Sequence, residues 1–415
     1  MVPEMRNAFN KQFSDSTYAH LLAELNQNFT GAIDFRVAET AVFLDPHCNK
    51  QMLETCNYII DTISHSNFIP KTDVAIPPNK NVPNQTAHPH FLAFDFGICL
   101  NEKNEIVPQL IEMQGFPSLF GYQVLLDDAM RSSYDIPAPN SAYYSGLNKT
   151  SYLQKLQSII VGNHHPKNVV LLEIKPHTQK TRIDFYATSA YTGIAIVCIT
   201  EIIKEGVTLF YTNGAGEKIE IKRIYNRIIF DELDQMPQNI KAAGQFLFEN
   251  IAVEWAGHPN WFYRISKFTM PLLQHPNIPA SFYINELASI PEDLENYVLK
   301  PLFSFAGAGV LIDVTKTDIE SLADPANWML QKKVNYAPVI QTPTTPAKVE
   351  IRLLYLWEHG DDRPFPAINI ARLSKGKMIG VRFNQNETWV GGSIAYAPSN
   401  SEITNGEDSS NTSHK

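Results

Sequence analysis

The chain has 415 residues, which is enough for two to four domains at roughly 100–200 residues each. Apolar residues make up 44% and charged residues 19%, and the 20 glycines and 27 prolines exclude collagen-like, coiled-coil and broadly disordered classes. The net charge of −9 and a pI near 5.8 give phosphate backbones no general attraction. No basic run is present, so we expect no nucleic-acid partner.

Cysteine use and hydropathy bear on the compartment. Cys48, Cys56, Cys99 and Cys198 lie too far apart for a C-x-x-C pair and are too few for a disulfide framework, so we expect reduced thiols in a cytoplasmic protein. The longest apolar stretch, 193–199, falls short of the roughly 20 residues that a membrane span needs. We therefore expect no membrane partner, and the sequence leaves the oligomeric state open.

The first part of the chain is predicted to be helical and then to form a hairpin. Residues 16–30 and 49–64 place apolar side chains at helical spacing, and the Pro- and Asn-rich stretch 70–90 predicts a loop that closes this segment. Residues 92–100 and 106–116 are two apolar runs joined by the polar link NEKNE, a pattern typical of a β-hairpin.

From residue 168 onward, strands alternate with helices, which predicts an α/β unit with parallel pairing. No G-x-G-x-x-G turn supports a dinucleotide site. A helix is predicted over 264–275, a strand over 297–303 and a helix over 316–323, and the runs WMLQKKV, VEIRLLYLW and FPAINIARLS predict further strands. The fold class is therefore α/β (α+β), and the polar residues from about 396 predict a disordered tail.

One candidate site lies in YVLKPLFSFAGAGV, where a predicted strand carries Lys300 into a loop containing Ala306, Gly307 and Gly309. Glycines allow positive φ and bring backbone N–H groups close to an anion, while a lysine at the strand end supplies a positive charge. This combination suits a triphosphate, although it is not a Walker motif. A plain turn is the alternative explanation, because glycine and proline commonly mark turns.

A second candidate site lies in the predicted hairpin. Glu112 and Gln114 share one strand face because side chains alternate with period two, and Asp95 is a carboxylate within an apolar run. If the two strands pair, Asp95 and Glu112 converge, and their oxygens can hold a hard divalent cation with the amide oxygen of Gln114. The alternative is that these carboxylates bind backbone groups or arginines.

These segments together resemble the ATP-grasp superfamily. VLKPLFSFAGAGV followed by WMLQKKV is similar to its strand lysine, glycine-rich lid loop and hinge, and RISKFTMPLLQHPNIPASF is similar to the segment with its first nucleotide-binding lysine. LAFDF and IEMQGFPS resemble the magnesium-binding part but come earlier in the chain. This order resembles the circularly permuted group that includes glutathionylspermidine synthetase, to which RIYNRIIFDEL is also similar, and the resemblance covers about 90–395.

The chain is expected to consist of six segments, of which the resemblance implies the middle four, and the resemblance also implies a set of site residues. The segments are a helical N-terminal segment (1–90), the first part of the catalytic domain (91–165), a small pre-ATP-grasp-like α/β domain (166–260), a lid subdomain (261–342), the remainder of the catalytic domain (343–395) and the tail (396–415). The implied ATP-binding residues are Lys267, Lys300, Ala306, Gly307, Gly309, Gln331, Lys332 and Val334. The implied Mg²⁺ ligands are Asp95, Glu112 and Gln114.

Two positions depart from the family pattern. Gln114 stands where the family has asparagine, and Ala93 stands where the family has an arginine that stabilises the transition state. Losing such a donor can raise a barrier by about 3–4 kcal/mol, so either another cation substitutes or activity is reduced. The candidates for substitution are Arg352 and Arg382, with Arg372 as a third, although an arginine of this kind is more often part of a surface ion pair.

The favoured function is an ATP- and Mg²⁺-dependent ligase that joins a small-molecule or peptide carboxylate to an amine, or to a thiol, through an acylphosphate. In this interpretation the loop at 304–309 is a lid that protects the acylphosphate from water. The alternative is a nucleotide-binding pseudoenzyme with a regulatory or binding role, which Ala93 favours. A kinase that stops at phosphoryl transfer is a third reading. The sequence does not identify the carboxylate or the amine.

Overall fold

The computed structural model describes residues 1–304, 307–377, 379, 384 and 386–398. Within this part, the α-helices are α1 Pro3–Gln12, α2 Asp15–Asn26, α3 Pro46–Ser64, α4 Phe68–Thr72, α5 Tyr122–Ser133, α6 Lys149–Val161, α7 Arg182–Thr192, α8 Phe230–Gln235, α9 Gln238–Ala243, α10 Asn260–Arg264 and α11 Lys316–Glu320. Across the described ranges, no helix combines the length and the apolar character needed to span a bilayer.

The strands of the described part are β1 Val42–Phe43, β2 Phe91–Leu100, β3 Ile106–Gln114, β4 Asn140–Ser141, β5 Val169–Glu173, β6 Ala195–Cys198, β7 Ile203–Glu205, β8 Thr208–Thr212, β9 Lys218–Ile221, β10 Arg223–Asn226, β11 Glu254–Ala256, β12 Ser281–Tyr283, β13 Tyr297–Pro301, β14 Trp328–Lys332, β15 Asn335–Tyr336, β16 Lys348–Leu356, β17 Phe365–Ser374, β18 Gly391–Ser393 and β19 Ala395–Pro398. They form five sheets, which confirms the mixed α/β class.

The two helices predicted in the N-terminal segment are present and capped by their own sequence. Ser14 accepts a hydrogen bond from the backbone N–H of Thr17 at 3.1 Å and so begins α2. Asp45 caps α3 by accepting from two backbone N–H groups, and Pro46 occupies the first helical position. The apolar stripe of α3 is buried in the main core, against one face of the largest sheet.

The largest sheet is antiparallel, with strand order β15-β2-β16-β17-β18. β15 and β16 pair with successive parts of one edge of β2, and β3 pairs with the opposite edge. β2 and β3 form the predicted hairpin, and β16 and β17 form a second one. Phe94, Phe96 and Ile351 point from this sheet toward α3 into the main core. The residues between them on each strand point to the opposite face, because neighbouring side chains alternate.

A second sheet is parallel, with order β11-β10-β5-β6, and it confirms the predicted alternation of strands and helices after residue 168. α7 is the connection between β5 and β6, and it ends at Gly193, whose φ of 75° is the left-handed conformation that favours glycine. A small antiparallel sheet, β7-β8-β9, follows in the chain before β10.

A third antiparallel sheet, β12-β14-β13, carries the segment with Lys300. The helix predicted over 264–275 is only partly correct, because α10 ends at Arg264 and residues Lys267–Leu272 form a 3₁₀-helix. Pro271 lies inside this stretch and has no N–H to continue an α-helix. The last strand of this sheet, β14, ends at Lys332, and β15, which pairs with β2 of the largest sheet, begins at Asn335. Residues 333–334 therefore link the two sheets.

The start of the polar tail differs from the prediction. Residues 395–398 form β19, which pairs in parallel with β1 and antiparallel with β4. Tyr396 is therefore fully buried rather than part of a tail. Residues 399–415, the remainder of the predicted tail, lie outside the described residues.

Candidate functional site

One face of the largest sheet changes from apolar to charged along its strands. Ala93 and Leu354 face each other across β2 and β16 and belong to an apolar cluster with residues of α6 and the parallel sheet. Two residues further along each strand on the same face, Asp95 lies opposite Arg352. The strand register thus places charged groups directly beside a core region, where water is largely excluded.

Asp95 is fully buried and is held by two guanidinium groups. Arg352 donates from Nε to Oδ1 and from Nη2 to Oδ2 of Asp95, each at 2.6 Å, and this is a bidentate ion pair. Arg372 on β17 donates from Nη2 to the same Oδ2, also at 2.6 Å. Asp95 thus binds arginine side chains, which is the alternative to binding a divalent cation.

Glu112 lies opposite Asp95 on β3 and is surrounded by cations. Its carboxylate is 3.6 Å from Lys267 Nζ and 3.7 Å from Arg352 Nη2, and it accepts a hydrogen bond from Gln114 Nε2 at 2.9 Å. Burial alone would raise the pKa of Glu112. The surrounding cations, of which Lys267 contributes most, outweigh burial and lower this pKa from 4.5 to about 2.

Lys300 on β13 reaches the same cluster through a β-bulge in β3. Glu112 pairs with Asp95 while Leu110 pairs with the next residue of β2, so Ile111 is left over between them. The carbonyl of Ile111 accepts from Lys300 Nζ at 3.2 Å, and Gln331 Oε1 accepts from it at 2.5 Å. Burial lowers the pKa of Lys300 from 10.5 to about 8, although nearby Glu112 raises it in part.

The cluster also contains groups that the sequence reasoning did not assign. Glu350, two residues before Arg352 on β16, accepts from Arg372 Nη2 at 2.8 Å and from the hydroxyl of Tyr336. Burial raises the pKa of Glu350, while the charge of Arg372 lowers it in part. The tyrosine ring lies over Gly97, where a Cβ atom would come within 2.7 Å of it. In VEIRLLYLW, Glu350 lies two positions before Arg352, so the two side chains are on the same face of a strand. This spacing is the sequence signal that identifies Glu350 as a member of the site.

We refer to these seven charged side chains as the charged cluster, and they are Asp95, Glu112, Lys267, Lys300, Glu350, Arg352 and Arg372. Five of them are buried, with Lys267 at 5% and Lys300 at 7% exposure, whereas Glu112 and Arg372 are partly exposed. Five strands and one 3₁₀-helix contribute these residues. The structure thus brings the carboxylates of the early hairpin and the two lysines of the later segment together.

The other predicted nucleotide-binding residues lie around this cluster in different ways. Gln331 contacts Lys300, whereas the side chain of Lys332 is exposed and Val334 lies in the link to β15. Gly307 and Gly309 follow β13 with φ values of 69° and 73°, the region that favours glycine. The loop begins at Ser304, whose carbonyl accepts a hydrogen bond from Lys267 Nζ. Ala306 and Arg382 lie outside the described residues.

The position of Ala93 has a physical explanation. Its side chain is fully buried in the apolar cluster and faces Leu354 across the strand pair. An arginine here would place its charge within a packed apolar region, at a considerable desolvation cost. Of the arginines considered as substitutes, Arg352 and Arg372 lie in the charged cluster itself, on the other side of Asp95 from β3.

The arrangement does not fit a bound divalent cation. Both oxygens of Asp95 already accept charge-assisted hydrogen bonds, and both oxygens of Glu112 lie within 4 Å of a cation. Mg²⁺ is bound by oxygen ligands in near-octahedral geometry, commonly one or two carboxylates together with water and phosphate oxygens. No group of three His, Cys, Asp or Glu side chains among the residues with described positions could hold a metal ion. The assignment of Asp95, Glu112 and Gln114 as ligands stays a prediction.

A solved structure shares this mixed α/β fold. A glutathione synthetase-like effector from Globodera pallida in its apo form matches with a TM-score of 0.57 over 94% of this chain and 99% of its own chain, at 9% sequence identity. At this identity the likeness concerns the fold alone. No protein-family model and no curated protein sequence matches the chain.

A second solved structure is a candidate gamma-glutamylcysteine synthetase from Methylobacillus flagellatus. It covers 80% of this chain and 84% of its own, with 12% identity and a TM-score of 0.35. This similarity is too low to support an argument about the present chain.

Proposed function

We propose that the chain is an ATP-dependent ligase of ATP-grasp type that joins a carboxylate to an amine or a thiol. The observation that carries the proposal is the meeting of Lys267 and Lys300 with the carboxylate of Glu112, with Lys267 also bound to Ser304 at the start of the glycine-containing segment. Two buried ammonium groups beside such a loop suit a triphosphate. The glutathione synthetase-type fold supports the same conclusion.

The roles of the residues follow from their positions. Lys267 and Lys300 would neutralise phosphate oxygens, and the backbone around Gly307 and Gly309 would close over them. Lys267 already contacts the start of this loop through the carbonyl of Ser304, so phosphate binding and loop position would be coupled. The closed loop would exclude water from the reacting groups.

The proposed reaction has two steps. A substrate carboxylate oxygen attacks the γ-phosphorus of ATP, and the bond from that phosphorus to the β-γ bridging oxygen breaks to release ADP. An amine then attacks the acylphosphate carbon, phosphate leaves, and the amine loses a proton to give the amide. Arg352 and Arg372 lie where they can stabilise negative charge. Arg382 stays a proposed alternative.

The organisation of the chain is part of the proposal. The largest sheet combines strands from 91–114 with strands from 335–393, while the sheet with Lys300 lies between these ranges in sequence. This order supports a circular permutation and the domain boundaries 91–165, 166–260, 261–342 and 343–395. The link at Val334 between the two sheets supports its role, with Gln331 and Lys332, as the hinge that contacts adenine. Pairing of β1 with β19 indicates that segment 1–90 packs against the catalytic domain.

ADP release in the presence of ATP and panels of carboxylates and amines tests the proposal. We expect turnover with at least one pair, and we expect Lys300→Gln and Lys267→Gln each to reduce it about 100-fold or more, since each removes a charge from the reacting phosphates. Lys316→Gln is the matched control, because Lys316 forms an exposed pair with Glu320 on α11. Equal activity of the Lys300 and Lys316 variants would contradict the proposal.

A non-catalytic nucleotide-binding protein of the same fold is the second candidate. Two observations favour it, namely Ala93 in place of a cation and the engagement of Asp95 by two arginines. In that case ATP raises the thermal stability of the chain, and this effect disappears in Lys300→Gln, but no ADP forms with any substrate pair. Measuring thermal stability and ADP release on the same samples separates the two functions.

A further inference from the structure

The contacts of Asp95 bear on whether the proposed nucleotide site needs a metal. Three donor hydrogen bonds of 2.6 Å reach its two oxygens, two from Arg352 and one from Arg372. Bidentate pairs of this kind are among the strongest hydrogen-bonded contacts in proteins. A divalent cation could coordinate Asp95 only if at least one guanidinium group moved away.

The second expected ligand is blocked in a similar way. One oxygen of Glu112 accepts from Gln114 and lies 3.7 Å from Arg352, and the other lies 3.6 Å from Lys267. A cation bound at Glu112 would therefore lie close to two positive side chains. Repulsion between like charges is large where water is excluded.

The charged cluster as a whole already favours an anion. Its four basic and three acidic side chains leave a formal excess of one positive charge. The hydroxyl of Tyr336 donates to Glu350 and satisfies part of the negative charge there. Among the residues whose contacts are described, Arg372 Nε has no hydrogen-bond partner, so this guanidinium still has a donor to offer.

We infer that Arg352 and Arg372 take the place of a divalent cation in this site, so that it binds a nucleoside triphosphate without metal. The inference rests on the proposed function, because it concerns the same nucleotide site. The two guanidinium groups cancel the charge of Asp95 and present positive charge to the phosphates, which are the two effects that a bound cation would have.

Isothermal titration calorimetry of the full chain with ATP, once in excess EDTA and once with MgCl₂, tests the inference. We expect the two dissociation constants to agree within about threefold. A constant about tenfold or more lower with MgCl₂ would overturn the inference and leave the ATP site of the proposed function intact. If ATP binds in neither condition, the proposed function fails as well.

Arg372→Gln gives a second measurement with less risk to folding, because the Arg372 side chain is 34% exposed. We expect this variant to bind ATP about tenfold more weakly in EDTA and to recover with MgCl₂, since Oδ2 of Asp95 loses one of its two guanidinium donors and becomes more open to a cation. Unchanged binding of the variant in EDTA would contradict the inference. Arg363→Gln is the control, because Arg363 forms an exposed pair with Asp61.

Binding of Mn²⁺ alone, followed by its electron paramagnetic resonance signal, provides a readout without nucleotide. We expect the free-ion signal to persist with the unaltered chain and to decrease with Arg372→Gln. A decrease of equal size with both proteins would show that Asp95 and Glu112 accept a cation despite the arginines, and this result would overturn the inference.

Discussion

Two glutamates in different sheets have pKa values that are shifted in opposite directions. Glu112 in the charged cluster has two cations within 4 Å, and its pKa is lowered to about 2. Glu173 ends β5 of the parallel sheet and accepts a hydrogen bond from the backbone N–H of Ile174 at 2.6 Å, and burial raises its pKa to about 8. Burial opposes ionisation in both places. The nearby cations decide the outcome, and they make the charged cluster suitable for chemistry with anions.

The largest expected effect comes from removing a cation from the charged cluster. Arg352→Leu leaves Asp95 with a buried, partly uncompensated charge, and we expect the free energy of unfolding in urea to fall by about 3–5 kcal/mol. Replacing both Asp95 and Arg352 by Leu should recover most of this loss, because no buried charge is then left unpaired.

Arg363→Leu is the matched control for this experiment. The pair of Arg363 with Asp61 is exposed, so its loss should change the free energy of unfolding by less than about 1 kcal/mol. If Arg352→Leu and Arg363→Leu cost the same, the contrast between the charged cluster and an ordinary surface pair is wrong.

An intermediate effect is expected at Glu173. A carboxyl group whose pKa is raised in the folded state binds more protons there than in the unfolded chain, so stability falls as pH rises from about 4.5 to about 8. Between pH 5 and pH 8 we expect this group to cost about 2–4 kcal/mol, measured as the difference in unfolding free energy between the unaltered chain and Glu173→Gln. Glu295→Gln, at an exposed position, is the control.

The smallest effect is expected at Glu112, with the opposite sign. A carboxyl group with a lowered folded-state pKa contributes stability above its unfolded value of about 4.5 and loses it as pH falls toward 2. Between pH 5 and pH 3 we expect a loss of about 2 kcal/mol that Glu112→Gln does not show. Glu102→Gln in the turn of the same hairpin is the control. If the unfolding free energies of Glu112→Gln and Glu102→Gln depend on pH in the same way, the proposed contrast between Glu112 and Glu173 is wrong.

The sequence predicts much of the fold because local patterns determine it. Two apolar runs joined by a short polar link predict the hairpin of β2 and β3, and capping by Ser14 accompanies the predicted helix α2. Apolar spacing predicts the 3₁₀-helix over Lys267–Leu272 as part of a longer helix, since this spacing does not distinguish the two kinds of helix. The strand β19 was missed because its partner β1 is distant in sequence.

The candidate site was predicted in its members but not in its contacts. The types and spacing of Asp95, Glu112 and Lys300 identify them, and the structure brings them together. The engagement of Asp95 by Arg352 depends on the register between β2 and β16, whose paired residues are separated by 257 positions. Local patterns contain no information about such a register.

The parallel pairing of β1 with β19 has a consequence for how the protein forms in the cell. Val42 pairs with Ala395, so the N-terminal helices have to wait for roughly 350 further residues to be synthesised before this contact can form. Contacts of such long range slow folding, since a large loop has to close first. The apolar surface around Phe43 therefore stays uncovered until residue 395 has been synthesised, and this small sheet is expected among the last parts of the described structure to form.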